Sequence, residues 1–347
     1  MPMMYFIAST RIDRHNSVMT LQALEGMAEH FNGPRKPAMR VQHDRTVPPM
    51  GATVAAKIQR AVDGHHELYA ECDIFPDPVA VTLPDGTEAL EQHSEKERYA
   101  FTTATMDIPD TIAVAVDYMN FQSHEALQQF FAELHNELDE PFLEEQFGRK
   151  ALISDPELLI TLGLKAAALW LAVRASGGLA AAVTDITKEE TKKLYYTVRS
   201  MIFRYASFAN PKNRPITYVL RVPGKPNIEF VARSTDVNKV VTAFTDGSFS
   251  SVYDQVETLR DKLGPEFIQF ILNEDGTWHF NYLLTHDGST IGIKEAFDRR
   301  AVLLNEIARV AKHKSGQNAA SNMSNHTTAP AQEKHRGIDG QDLLRGQ

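Results

Sequence analysis

Residues 37–51 constrain the fold of this chain more than any other stretch. A short apolar strand over residues 38–41 runs into His43, Asp44 and Arg45, and a turn containing Pro48, Pro49 and Gly51 stops it. Proline removes a backbone donor and glycine opens otherwise forbidden backbone angles, so the chain must change direction there. Strand patterns lie on both sides, over residues 5–9, 51–61 and 67–74, and Asp63 with Gly64 marks a hairpin between the last two. Between the first strand and the turn, Leu21, Leu24, Ala28 and Phe31 recur at helical spacing. Asn32, Gly33 and Pro34 end that helix, with Gly33 expected in the left-handed region. A histidine fixed at such a turn can move protons near neutral pH, since free imidazole titrates at about 6.5.

Further along, Pro76, Pro78, Pro84 and the pair Asp85 and Gly86 read as loops, and residues 112–116 as a buried strand. Residues 123–147 read as helix, with Leu127, Phe130, Phe131, Leu134 and Leu138 on one side. The apolar run over residues 158–186 is interrupted by Lys165 and Arg174. A membrane-spanning helix needs about 20 mainly apolar residues, and each charge at the bilayer centre costs about 2.5–3.5 kcal/mol. Two buried helices meeting at Ser176, Gly177 and Gly178 explain the run better than a membrane segment. Residues 188–208 continue as helix. Strands over 216–221 and 228–233, helices over 237–244 and 251–263, a hairpin over 267–284 and a helix over 293–312 follow. From Lys314 onward polar and small residues replace apolar ones, which predicts a disordered tail. The expected class is α+β, partitioned as 1–122, a helical segment 123–209, a C-terminal α+β domain 210–313 and the tail 314–347.

Composition narrows the partners. A net charge of −9 with no basic cluster argues against nucleic acid, and the single cysteine, Cys72, excludes an intrachain disulfide. The first residues lack the basic start and apolar length of a signal peptide, so a cytoplasmic protein is expected. His65 and His66 are neighbours on a strand and point to opposite faces, so no metal site is expected there, and no cofactor motif is present. Trp278, Phe280 and Tyr282 should share one core-facing side of a strand, with His279 and Asn281 opposite. Arg221, Arg233 and Lys239 have the chemistry to bind an anion, but they sit at element ends, where charges are ordinarily solvated.

Asp13 ahead of the first helix, His43 with its Pro-rich turn, the hairpin after it and the strand ending in Thr102, Thr103 and Thr105 come in a familiar order. Over residues 1–122 the chain resembles the capsid maturation and scaffold proteases of tailed bacteriophages. That resemblance implies a small β-barrel-like domain in which an acidic residue, a histidine and a serine cleave peptide bonds. It implies His43 as general base, Asp13 as the residue orienting it, and Thr103 in the nucleophile's place. This strand carries threonines where the family carries serine, and Ser94 just upstream is the nearest serine. Three functions compete: a serine- or threonine-type peptide hydrolase acting on a protein substrate, a non-catalytic interaction or assembly protein that forms homo-oligomers, and a membrane-associated effector using residues 158–186.

Overall fold

Alternating residues of the N-terminal segments build a four-stranded antiparallel sheet, ordered β1-β4-β3-β2, from β1 (Met4–Ser9), β2 (Ala38–Met39), β3 (Gly51–Arg60) and β4 (His66–Ile74). The computed structural model describes residues 4–13, 18–102, 110–148, 155–175, 185–245 and 250–324. The β3–β4 hairpin turns at Gly64, whose φ of 86° suits glycine. Helix α1 (Leu21–Asn32) starts at Thr20, whose hydroxyl accepts from Ala23 N, and it packs on β3 and β4. The Asn32 side chain bonds both backbone groups of Ala56, tying the helix end to β3. Gly33 lies at φ −61°, so the helix ends without the left-handed residue expected there.

The second sheet has ten strands in the order β5-β6-β14-β13-β12-β11-β10-β9-β7-β8. In chain order these are β5 (Val79–Thr82), β6 (Glu88–Gln92), β7 (Ile112–Asp117), β8 (Phe142–Phe147), β9 (Glu157–Thr161), β10 (Ile216–Val222), β11 (Asn227–Ser234), β12 (Pro265–Leu272), β13 (Trp278–Thr285) and β14 (Thr290–Gly292). Pairs β7–β8, β9–β10 and β11–β12 are parallel, and each needs a crossover. Helix α2 (His124–Glu137) makes the first, α3 (Leu164–Ala175) and α4 (Asp185–Phe208) the second, α5 (Val237–Thr245) and α6 (Ser250–Leu263) the third. Their apolar stripes form one core with one face of the sheet: Phe130, Trp170, Tyr205, Val240 and Leu259 pack with Leu158, Tyr218, Phe230 and Phe270. The opposite face carries a small apolar cluster of Ala115, Leu159, Val219 and Val231. It also carries a second one in which Phe267, Tyr282 and Leu284 meet Ala52, Phe75 and Phe101. Between these clusters lies a row of charged and polar side chains.

The fold is thus mixed α/β with two sheets. Among the described residues neither sheet closes into a barrel, and β1 and β2 remain open edges of the smaller one. The expected helix over residues 123–147 ends at Glu137. Pro141 cannot donate to a helix, and β8 follows as an edge strand. The apolar run expected to begin a helix at Leu158 is instead β9, buried on both faces between β7 and β10; short apolar runs read equally as buried strand or buried helix. The junction at Ser176, Gly177 and Gly178 lies outside the described residues. Among the described residues no helix is long and apolar enough to cross a membrane. Asp85 and Gly86 turn a hairpin between β5 and β6.

The ten-stranded sheet runs across the expected boundaries: β6, from the first expected unit, pairs β14, and β9, from the second, pairs β10. Compactness instead divides the chain into Met1–Ala301 and Val302–Gln347. All strands belong to the first unit, together with the start of α7 (Lys294–Ser324). The second unit, as described, is helical backbone with Val302 and Leu304 exposed, and the helix reaches Ser324, ten residues past the expected onset of the tail at Lys314.

Candidate functional site

Strand β2 stops at Met39, and Val41–His43 form a single 3-10 turn. Gln42 (φ 51°) and His43 (φ 58°) both lie in the left-handed region, which costs a non-glycine residue about 1–3 kcal/mol and persists only where the surroundings enforce it. The surroundings do enforce it. Asp44 Oδ1 accepts from the N–H and hydroxyl of Thr46 at 2.8 and 2.7 Å. The Arg45 carbonyl accepts from Gln269 Nε2 at 2.9 Å and the Tyr282 hydroxyl at 3.1 Å, and the Thr46 carbonyl from Asn281 Nδ2 at 2.9 Å. Arg300 donates to the Pro49 carbonyl at 2.6 Å, and burial there pulls its pKa down to about 10. Val41, Val47, Pro48 and Pro49 are buried beneath the turn, while His43 is exposed on top.

Asn281 and Tyr282 can both reach the turn because β13 bulges against β12: Gln269 pairs with Tyr282, but the next residue, Phe270, pairs with Phe280. The extra residue reverses the alternation. Trp278 and Phe280 stay in the helix-side core, whereas Tyr282 joins the other face, so the three aromatics do not share one side as their spacing suggests.

Arg45 drives inward from the turn. Its Nε and Nη2 form a two-pronged pair with Glu157 at 2.9 and 2.7 Å, and Nη1 donates to Glu229 Oε2 at 2.9 Å. Arg221 Nη2 donates to the same oxygen at 3.1 Å, and Gln269 Nε2 to the other at 2.8 Å. The register explains the meeting: Arg221 pairs directly with Glu229, and Glu229 with Gln269, in one row across β10, β11 and β12. Glu157 and Glu229 are 0% and 1% exposed. Burial alone raises a carboxyl pKa, but the charges of Arg45, Arg221 and Arg40 outweigh it and hold Glu229 down at about 2. Burial likewise disfavours the Arg45 cation, and the two glutamates more than restore it.

Beside this network a cleft of about 270 Å³ opens between α1, the strands at residues 37–40 and the sheet face. His30, Arg40, Arg45, Thr102, Arg221 and Glu229 supply its polar lining, with Ala38, Phe267 and Leu284 as apolar wall. Arg40 lies over the Tyr282 ring, 5.6 Å from its centre, and donates to the Tyr282 hydroxyl.

Of the sequence-derived site residues, His43 stands exposed at the clamped turn and Asp13 is half-buried beyond β1. Thr103 lies outside the described residues. Its neighbour Thr102 donates from N to the Lys36 carbonyl at 2.8 Å, and Lys36 N donates to Ala100 O at 2.9 Å, so residues 100–102 run parallel to the chain entering the turn. Ser94 is buried; its hydroxyl donates to Asp73 at 2.5 Å and accepts from the N–H groups of Lys96 and Glu97, the pattern of a turn cap. Arg221, expected to be solvated, is 14% exposed and paired with Glu229. The role of Arg45, Glu157, Glu229 and Gln269 was not visible as a motif; the available signal was a charged or amide residue set inside otherwise apolar strand sequence. Compared with known proteins, the chain matches no family model, no curated protein and no solved structure.

Proposed function

We propose that the chain is a peptide hydrolase of the phage prohead-protease kind, with His43 as its base. The reading rests on one observation: two consecutive non-glycine residues held in the left-handed region, on a turn fixed from below, carrying an exposed imidazole. The parallel bridge between Lys36 and Phe101 supports it, because Phe101 lies two residues before the threonine in the nucleophile's place. In this mechanism the Thr103 hydroxyl attacks the scissile carbonyl while His43 takes its proton. Asp13 does not orient the imidazole, because it follows Ser9, which pairs through Glu67 with Gln59, at the end of the small sheet opposite the turn, where Met39 pairs with Gly51. His43 then protonates the leaving amine, and water hydrolyses the ester by the same route. A small barrel-like protease domain around β1–β4 belongs to the same proposal.

The test is intact-mass analysis of the purified chain, alone and with denatured casein. His43→Ala should abolish cleavage with an unchanged melting temperature, and Thr103→Ser should keep or raise it. Cleavage that survives in His43→Ala sinks the assignment. A second reading, a non-catalytic interaction or assembly protein, is favoured by a different observation. In the cleft, unused hydrogen-bonding capacity belongs to Arg40 and Arg221. A wild-type chain that cleaves neither itself nor casein supports that reading over the first.

A further inference from the structure

We propose that the cleft beside the Arg45 network binds a carboxylate carried on a short aliphatic stem, gripped by Arg221 and Arg40. A guanidinium carries five N–H donors in a planar fork. Arg221 makes one hydrogen bond, from Nη2 to Glu229, which leaves its Nε and Nη1 without a protein acceptor among the described residues although the side chain is only 14% exposed. Arg40 uses Nη1 alone, toward Val47 O and the Tyr282 hydroxyl, and its Nε and Nη2 are in the same position. Both arginines line the cleft.

The carboxylate in the cleft wall, Glu229, does not use up these donors, because Arg45 and Gln269 already bind its two oxygens. Three guanidiniums, Arg40, Arg45 and Arg221, face two carboxylates, Glu157 and Glu229, which leaves one positive charge in excess. Ala38, Phe267 and Leu284 form an apolar wall opposite that charge, suited to a methylene stem. A volume of about 270 Å³ fits a molecule of glutarate size and no large cofactor. The site makes no use of His43, so it stands or falls apart from hydrolysis.

Calorimetric titration of the full chain at low ionic strength, with sodium glutarate and separately with inorganic phosphate, tests the assignment. Glutarate should bind one to one, and more tightly than phosphate. Arg221→Gln and Arg40→Gln should each weaken it at least about tenfold, the loss expected for a charge-assisted hydrogen bond. Ala38→Leu, which retains every charge and fills the cleft from its apolar wall, should block binding with the fold intact by circular dichroism. No binding of glutarate overturns the proposal, as does binding that both arginine variants and Ala38→Leu leave unchanged. Tighter binding of phosphate through the same arginines overturns the carboxylate assignment in favour of a phosphate ligand. A chain that binds glutarate and cleaves nothing loses the hydrolase reading alone.

Discussion

Replacing Arg45 with glutamine should cost about 3–5 kcal/mol at pH 7, because it leaves buried carboxylate charge without its main counter-ion. The structure sets both the size and the pH dependence of that loss. Arg45 donates three hydrogen bonds to Glu157 and Glu229, and both acids are essentially inaccessible to water. Glu157 loses a two-pronged pair, and Glu229 loses one donor while keeping Arg221 and Gln269. A buried carboxylate that loses its partner escapes by taking up a proton, and from an ordinary glutamate pKa of about 4.3 that costs about 4 kcal/mol at pH 7 and about 1 kcal/mol at pH 5. In the intact protein the folded pKa of Glu229 is depressed to about 2. Its contribution is therefore fully present above the unfolded pKa and is lost only as pH falls toward 2. The difference between wild type and Arg45→Gln should accordingly shrink by about 3 kcal/mol between pH 7 and pH 5. Urea denaturation followed by the fluorescence of the chain's two tryptophans, Trp170 and Trp278, measures both values. Adding Glu157→Gln to Arg45→Gln should recover part of the loss, since it removes one of the buried charges that Arg45 neutralises. A deficit below about 1 kcal/mol at pH 7, or one equal at both pH values, would refute the argument that Arg45 is there to neutralise buried carboxylates.

Gly51→Ala should destabilise by about 1–3 kcal/mol in the same assay, because a Cβ there would sit 2.1 Å from the Asp73 carbonyl on the neighbouring strand. Ser94→Ala should also cost about 1–3 kcal/mol, by removing a donor to the buried Asp73, and it should leave any peptide cleavage unchanged; loss of cleavage in a well-folded Ser94→Ala would move the nucleophile to Ser94. Residues 210–313 expressed alone should give a collapsed amide spectrum by NMR, since the fragment bares the β10 edge that β9 covers and removes Trp170 from Phe230; well-dispersed amides would show that the sheet can be divided there.

The sequence carried the local parts of the fold well. The helix carrying Leu21, Leu24, Ala28 and Phe31, the turn at Asp63 and Gly64, the hairpin over residues 267–284, and the strands at residues 216–221 and 228–233 all follow from short-range chemistry. What failed depended on the other side of the sheet. Leu158, Leu159 and Ile160 are all buried, so they show no period with which to separate strand from helix. The bulge at Asn281 is a property of the β12–β13 pairing, and a two-residue period read along one strand cannot contain it. The same holds for the site. Arg45 lies within the turn that the sequence marks out, two residues from His43, but its partners are 112 and 184 residues away.

That separation gives the turn and the cleft a common foundation. Arg45 belongs to both: its backbone carbonyl is held by Gln269 and Tyr282 under the His43 turn, and its guanidinium forms part of the cleft wall. Glu229 joins Arg45 to Arg221, and Tyr282 joins it to Arg40, so each arginine proposed to grip a ligand is one hydrogen bond from a group that fixes the turn. A carboxylate bound to the remaining N–H groups of Arg40 and Arg221 would draw on the same two guanidiniums that bond Tyr282 and Glu229. Coupling between two sites is reciprocal, so any change the ligand makes in the turn must appear as an equal effect of the turn on the ligand's affinity. The left-handed backbone at Gln42 and His43 is the part of this assembly with strain to release. The turn is therefore where occupation of the cleft should be felt first.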